Sequence, residues 1–314
     1  MRTQTTGNVT ITYPNYICPI FSPCLVEMEG LSGEVAISLT SGKVTYIDIR
    51  HPYNGKASID IASYLHAFFP NDGKTYTKQK NVTMSITLKE SSDVVLSASF
   101  LAVYAVAHNL AIPIRQRMYA NYPTQTASFL VGEGGGVVDI GTHQLNSPAG
   151  YREVRLQQYW LPTRNTRNVV VGDITYPFIL DKSECGQMFK WIDAQGYTRH
   201  FLFQEGEKTT TTKDNGDALS RYCTIATPMG EYYGEMSQPQ GVEFAISRKY
   251  CATFCDEADR ELISTIYGAL FVWVVDKEGN ETPVTIKRGG VTTKKGLQDF
   301  EIEVNLPSPK TMKI

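Results

Sequence analysis

The chain has 314 residues, of which 42% are hydrophobic and 20% charged, an ordinary globular balance that excludes global disorder. A formal net charge of −2 with an isoelectric point near 6.2 excludes long-range attraction to a polyanion, and the basic residues are scattered, so no nucleic-acid partner is expected. The length suits two compact domains or one large β domain with insertions.

The N-terminus, MRTQTTGNVTITYPNY, is polar and has no apolar core segment, so no secretory signal is expected there and synthesis is expected in the cytoplasm. No apolar run approaches the roughly 20 residues of a membrane helix, so no membrane insertion is expected. The first strong strand pattern sets Val35, Ile37 and Leu39 against Glu34, Ala36 and Ser38. Next, Asp60 is placed to cap a helix over about 59–69, whose stripe is Ile61, Tyr64, Leu65 and Phe68 and which Pro70 ends. Val82, Met84, Ile86 and Leu88 then alternate with Thr83, Ser85 and Thr87, the period of a strand with one buried face.

The run Gly132-Glu133-Gly134-Gly135-Gly136 is the best candidate boundary, dividing 1–131, a β domain with one helix, from 132–314. A loop between strands Ser128–Val131 and Val137–Ile140 is the equal alternative. The run is no phosphate-binding loop, because no Gly-Lys-Ser/Thr follows and strand, not helix, comes next. Cys185–Phe203 reads as strand, turn, strand, with Trp191 and Phe201 as anchors around the turn Asp193–Gly196.

Leu161–Asn168 and Glu205–Asp217 read as exposed loops, the second threonine-rich and charged. Long loops in compact folds are often functional. Arg164, Asn165, Lys208, Thr209, Thr210, Thr211, Thr212 and Lys213 are therefore the candidate contacts to a neighbouring subunit. The final module reads as helix, strand, hairpin, strand. Asp256, Glu257 and Asp259 load the first turn of a helix over about 256–268, Leu262, Ile263 and Ile266 form its buried face, and Gly268 is placed as its C-cap. Phe300, Ile302, Val304 and Leu306 alternate with Glu301, Glu303 and Asn305. The expected class is mainly β: antiparallel sandwich- or barrel-like domains flanked by two short amphipathic helices.

Chemistry-bearing groups are sparse. The six cysteines read as reduced thiols, and Cys251-x3-Cys255 lacks a second close pair for zinc. The five histidines form no metal-binding pairing, and Cys185 with His200 lacks an orienting third group. No G-x-S-x-G occurs. A carboxylate pair for glycoside cleavage is defined in space, so the sequence leaves it open. No catalytic residue, cofactor or metal is expected.

The pattern Cys-Gly, aromatic-Lys-Trp-Ile-Asp, Gly, aromatic strand at Cys185–Phe203 resembles tail-associated proteins of tailed phages and prophages. So do NGKASIDIASYLHAFF at Asn54–Phe69 and DRELISTIYGALFVWVVD…TPVTIKRGG…GLQDFEIEVNL at Asp259–Leu306. The resemblance implies a non-catalytic virion part, a ring or hub subunit at the tail tip or baseplate similar to distal tail proteins. Its partners would be copies of itself and other tail proteins, and it would be made in the host cytoplasm. Two rivals stand beside it. Eighteen tyrosines on a β framework suit a carbohydrate- or receptor-binding module, and a polysaccharide hydrolase would need facing carboxylates in a cleft.

Overall fold

A computed structural model describes residues 1–70, 76–106, 113–159, 166–214, 219–238, 241–287, 289, 296–306 and 312–313. The protein is mainly β, and among the described residues its sheets are antiparallel except at two short pairings. Ile17–Pro19 runs parallel to Leu101–Val103, and Gln116–Tyr119 parallel to Phe178–Asp181.

The N-terminal region is a two-layer sandwich. A four-stranded sheet, in the order Arg2–Thr6, Val9–Tyr13, Leu25–Glu29, Lys56–Asp60, shares one core with a five-stranded sheet. The second sheet has the order Ile17–Pro19, Val94–Val103, Gln79–Leu88, Val35–Ser41, Val44–Arg50. Every second residue of Val35–Ser41 and Gln79–Leu88 points inward, so Val35, Ile37, Leu39, Val82, Met84 and Ile86 are all buried.

The first helix is shorter than expected, Ala62–Ala67. Residues 59 and 60 belong to Lys56–Asp60, which pairs with Leu25–Glu29 and holds the chain extended up to the turn. Asp60 still serves the junction, its Oδ1 accepting from the Ala62 N–H at 3.0 Å and the Cys24 N–H at 2.9 Å. The stripe is as read: Ile61, Leu65 and Phe68 are buried in the sandwich core and Tyr64 packs on it.

A second core gathers Leu101, Val103, Phe129, Val131, Val138, Val169, Tyr176 and Phe178, drawing on both sides of residue 132. The glycine run is a tight turn, with the Gly135 N–H on Gly132 O at 3.2 Å, linking strands Ala127–Val131 and Gly136–Asp139. Gly134 and Gly135 have φ of 88° and 79°, which explains glycine there.

The third core lies under the largest sheet. Its central strands are Phe271–Val275, Gln187–Ile192, Thr198–Asp214, Gly241–Cys255 and Gln298–Leu306, in that order. The second helix is Glu257–Ser264, tightened into a 3-10 turn over Thr265–Gly268, and it buries Leu262, Ile263 and Ile266 against Phe189, Trp191 and Phe300. Gly268 is not a left-handed cap. It ends the 3-10 turn and is not among the described residues of positive φ. Trp191 is fully buried, and its indole N–H donates to Thr265 Oγ1 at 2.8 Å, tying sheet to helix.

Candidate functional site

Thr198–Asp214 begins in the core and leaves it. Phe201, Leu202 and Phe203 are buried, whereas every residue from Gln204 to Thr212 is exposed. The stretch from Glu205 expected as a loop is therefore strand as far as Asp214, and 215–217 lie outside the described residues. Its threonines favour extended backbone without needing a buried face.

A bulge between Glu205 and Lys208 shifts the register, and beyond it Lys208, Thr209, Thr210, Thr211, Thr212 and Lys213 pair with Arg248, Ser247, Ile246, Ala245, Phe244 and Glu243. Bulges add twist and swing a strand out of its sheet. On the opposite edge, Thr198–Asp214 pairs with Gln187–Ile192 only through Phe203. From Gln204 to Asp214 that edge is open among the described residues. The companion strand is better covered: Ile246–Cys255 pairs with Gln298–Leu306, and Gly241 and Val242 with Lys313 and Met312. Of the sequence candidates, this arm brings the threonine run together on one exposed edge. Arg164 and Asn165 lie outside the described residues, and Thr166–Asn168 start the strand Thr166–Val171 instead of a loop.

Between the two arm strands in the chain lies a hairpin, Leu219–Thr227 with Gly230–Gln238, which pairs with no other strand among the described residues. Its turn is closed by Thr227 Oγ1 donating to Gly230 O at 2.8 Å. Met229 at the tip is wholly exposed, and Tyr222 and Tyr233 are 62% and 72% exposed. The two tyrosine rings are near parallel, 9° apart in plane with centroids 5.8 Å apart. These three residues were missed in the sequence, although Pro228-Met229-Gly230 between two β-prone runs was a usable turn signal.

Several charged groups of the interior are held in ion pairs. Lys78 Nζ contacts Glu153 and donates to Ser128 Oγ at 2.6 Å and Thr198 Oγ1 at 2.9 Å. Burial pushes Lys78 downward against the pull of Glu153, while at Glu153 burial pushes up but Lys78, with the hydroxyls of Thr198 and Thr126, holds that carboxyl down to about 2. Asp193 Oδ2 accepts from Arg199 Nε at 2.8 Å, with both side chains buried. Asp193 Oδ1 accepts from the N–H groups of Gln195 and Tyr197, which fixes the turn. Arg117 bridges Asp181 and Asp259, and Arg115 bridges Asp256 and Asp259, clamping the second helix to Gln116–Tyr119. His200 is buried, and burial first, then Lys190 opposite it in the register, takes its pKa down to about 3.

A groove of about 870 Å³ beside the glycine turn is lined by Leu130, Val137, Val170 and Ile174 with Asp139 and Asp173. Asp139 accepts from the Gly141 N–H at 2.7 Å and from Gln144, bonds that hold its carboxyl below the usual range. That is the wrong direction for the general acid of glycoside cleavage. Among the described residues no group of three His, Cys, Asp or Glu is placed to hold a metal ion. The Cys255 thiol donates to Ala252 O at 3.4 Å, and Cys185 is exposed while His200 is buried.

No protein-family model matches the chain, and no curated protein sequence matches it. Among solved structures, the full extracellular region of plexin A4 aligns at 9% identity over 80% of this chain and 42% of that chain, with a TM-score of 0.21. A score that low carries no argument about fold or function.

Proposed function

We propose that this protein is a structural subunit that works by protein–protein assembly, with the arm as its main contact surface. The carrying observation is the open, threonine-rich edge from Gln204 to Asp214 on a ribbon exposed around Gln204–Thr212. Free proteins cover, shorten or blunt such edges, because unpaired N–H and C=O groups recruit other strands. An isolated two-stranded hairpin is also marginal in water and gains stability when a neighbour packs on it. Strand addition by a neighbour answers both features. Lys208 keeps the edge charged, which favours a specific partner over aggregation.

The likeness of Cys185–Phe203, Asn54–Phe69 and Asp259–Leu306 to tail-associated phage proteins supports a finer version: a ring or hub subunit at a tail tip or baseplate. The test is solution mass by light scattering over a wide concentration range. The expected result is a discrete closed oligomer, which falls to monomer in a variant joining Lys208 to Arg248 through an Asn-Gly turn. An oligomer unchanged by that deletion overturns the role of the arm, and a monomer at every concentration overturns self-assembly.

One observation favours a second reading, a carbohydrate- or receptor-binding module. The exposed, near-parallel rings of Tyr222 and Tyr233 offer apolar faces against which sugar rings stack. Glycan-array binding that disappears in Tyr222→Ala/Tyr233→Ala would establish it, and a blank array would remove it.

A further inference from the structure

Cys18 and Cys24 flank a short connection, Pro19-Ile20-Phe21-Ser22-Pro23, between the strands Ile17–Pro19 and Leu25–Glu29. Both side chains are buried in the first core, at 2% and 3% exposure. The Cys24 thiol donates to Pro19 O at 3.3 Å and Ser22 O at 3.4 Å, which folds it back over the residue next to Cys18. The neighbouring Cys24 thiol pushes the Cys18 thiol up, as a close sulfur does.

The connection is held from both ends. Ile20 and Phe21 N–H groups donate to Val103 O at 3.0 Å and Ala105 O at 3.1 Å. On the far side, the Cys24 N–H donates to Asp60 at 2.9 Å and the Ile61 N–H to Cys24 O at 3.0 Å. Pro19 and Pro23 stiffen it further by fixing φ. A pair of sulfurs held together by the surrounding fold has a high effective concentration for each other.

We propose that Cys18 and Cys24 form an oxidation site, a disulfide clasp that closes when the chain meets low-molecular-weight disulfides such as oxidised glutathione. Cys24 loses its proton and its thiolate attacks one sulfur of the oxidant, releasing one small thiolate. Cys18 then loses its proton and attacks the Cys24 sulfur of the mixed disulfide, forming the Cys18–Cys24 bond and expelling the second small thiolate. The two protons end on the two released thiols, and two electrons pass to the oxidant. The thiol contact and burial push the Cys18 thiol up, so it stays protonated until the second step. With both thiols buried, entry needs local opening of Ile20–Pro23, and the clasp forms slowly. It then pins the parallel strand Ile17–Pro19 to the antiparallel sheet of the sandwich. This site is independent of the assembly reading, because it is read by mass and not by oligomeric state.

The full chain is equilibrated in glutathione buffers of graded potential, starting once from reduced and once from oxidised protein until the two agree. Samples are acid-quenched and alkylated. Trypsin then releases Thr3–Lys43, which contains Cys18 and Cys24 and no other cysteine. The expected result is that this peptide, two hydrogens lighter and unalkylated, is at least about tenfold more abundant from folded than from urea-unfolded chain at one potential, as a native geometry that favours the bond requires. Equal or lower abundance from the folded chain, or a mixed disulfide with glutathione in its place, overturns the proposal.

Discussion

Arg199 is the largest charged side chain shut inside this protein, 1% exposed, with its guanidinium 4.9 Å over the Tyr197 ring and its Nε on Asp193. Its role is to neutralise a carboxylate whose other oxygen is already committed to turn N–H groups. Removing one member of a buried ion pair strands the other charge, at a cost of about 3–5 kcal/mol. Arg199→Met should therefore lower stability by that amount in urea unfolding, while Asp193→Asn/Arg199→Met should lose less than the sum of the single changes. His200 carries a different signature. Its folded pKa lies near 3, below the ordinary 6.5, so between those values the unfolded chain binds a proton that the folded chain refuses. The stabilisation is complete above pH 6.5 and is lost as pH falls toward 3, with a slope of up to about 1.4 kcal/mol per pH unit for one proton. Glu153 acts in the same direction but only below its ordinary 4.5. The interval from pH 6.5 to 5 thus reports His200, and His200→Gln should flatten stability there.

Among the elements, the second helix depends on a residue with two tasks. Asp256 caps it by accepting the Asp259 N–H at 2.9 Å, and it also holds Arg115. Because Asp256 is partly exposed, the cap is the dependable part, and Asp256→Ala should cost about 1–2 kcal/mol in chemical unfolding. Asp256→Asn should recover most of it, since an amide oxygen caps equally well. This helix start was legible in the sequence because caps and first-turn charge are local. So were Val35–Ser41, Gln79–Leu88 and Gln298–Leu306, where one buried face imposes alternation. The arm strand was not legible as strand, because with neither face buried from Gln204 to Thr212 no alternation exists to read. The partners Lys78 and Glu153, and the clamp of Arg115 and Arg117 on Asp256 and Asp259, were invisible for another reason: they are distant in the chain and only the fold joins them. The first helix was over-extended because its apolar stripe continues into a strand whose pairing is decided by Leu25–Glu29.

At the scale of the molecule, the three larger cores are joined. Phe271 lies in the largest sheet yet packs against the N-terminal core, and its ring sits 5.1 Å from Tyr76 and 5.7 Å from both Tyr104 and Trp273. The second core takes Leu101 and Val103 from a strand whose other buried residues serve the first. Shared walls of this kind make unfolding cooperative, because no core can open without exposing its neighbour. The arm contributes nothing to those walls: from Gln204 to Thr212, and at each described hairpin side chain, it is exposed or half-buried. Replacing residues 209–247 by an Asn-Gly turn should then leave the body's thermal midpoint within about 2 °C, a change of roughly 1.3 kcal/mol or less for a chain of this size. The same deletion should abolish assembly. The two effects must separate, because a ribbon kept for a neighbour adds nothing to the fold that carries it. A midpoint lowered together with the loss of assembly would instead make the arm a structural part of the body, and the edge from Gln204 to Asp214 would lose its claim as a contact surface.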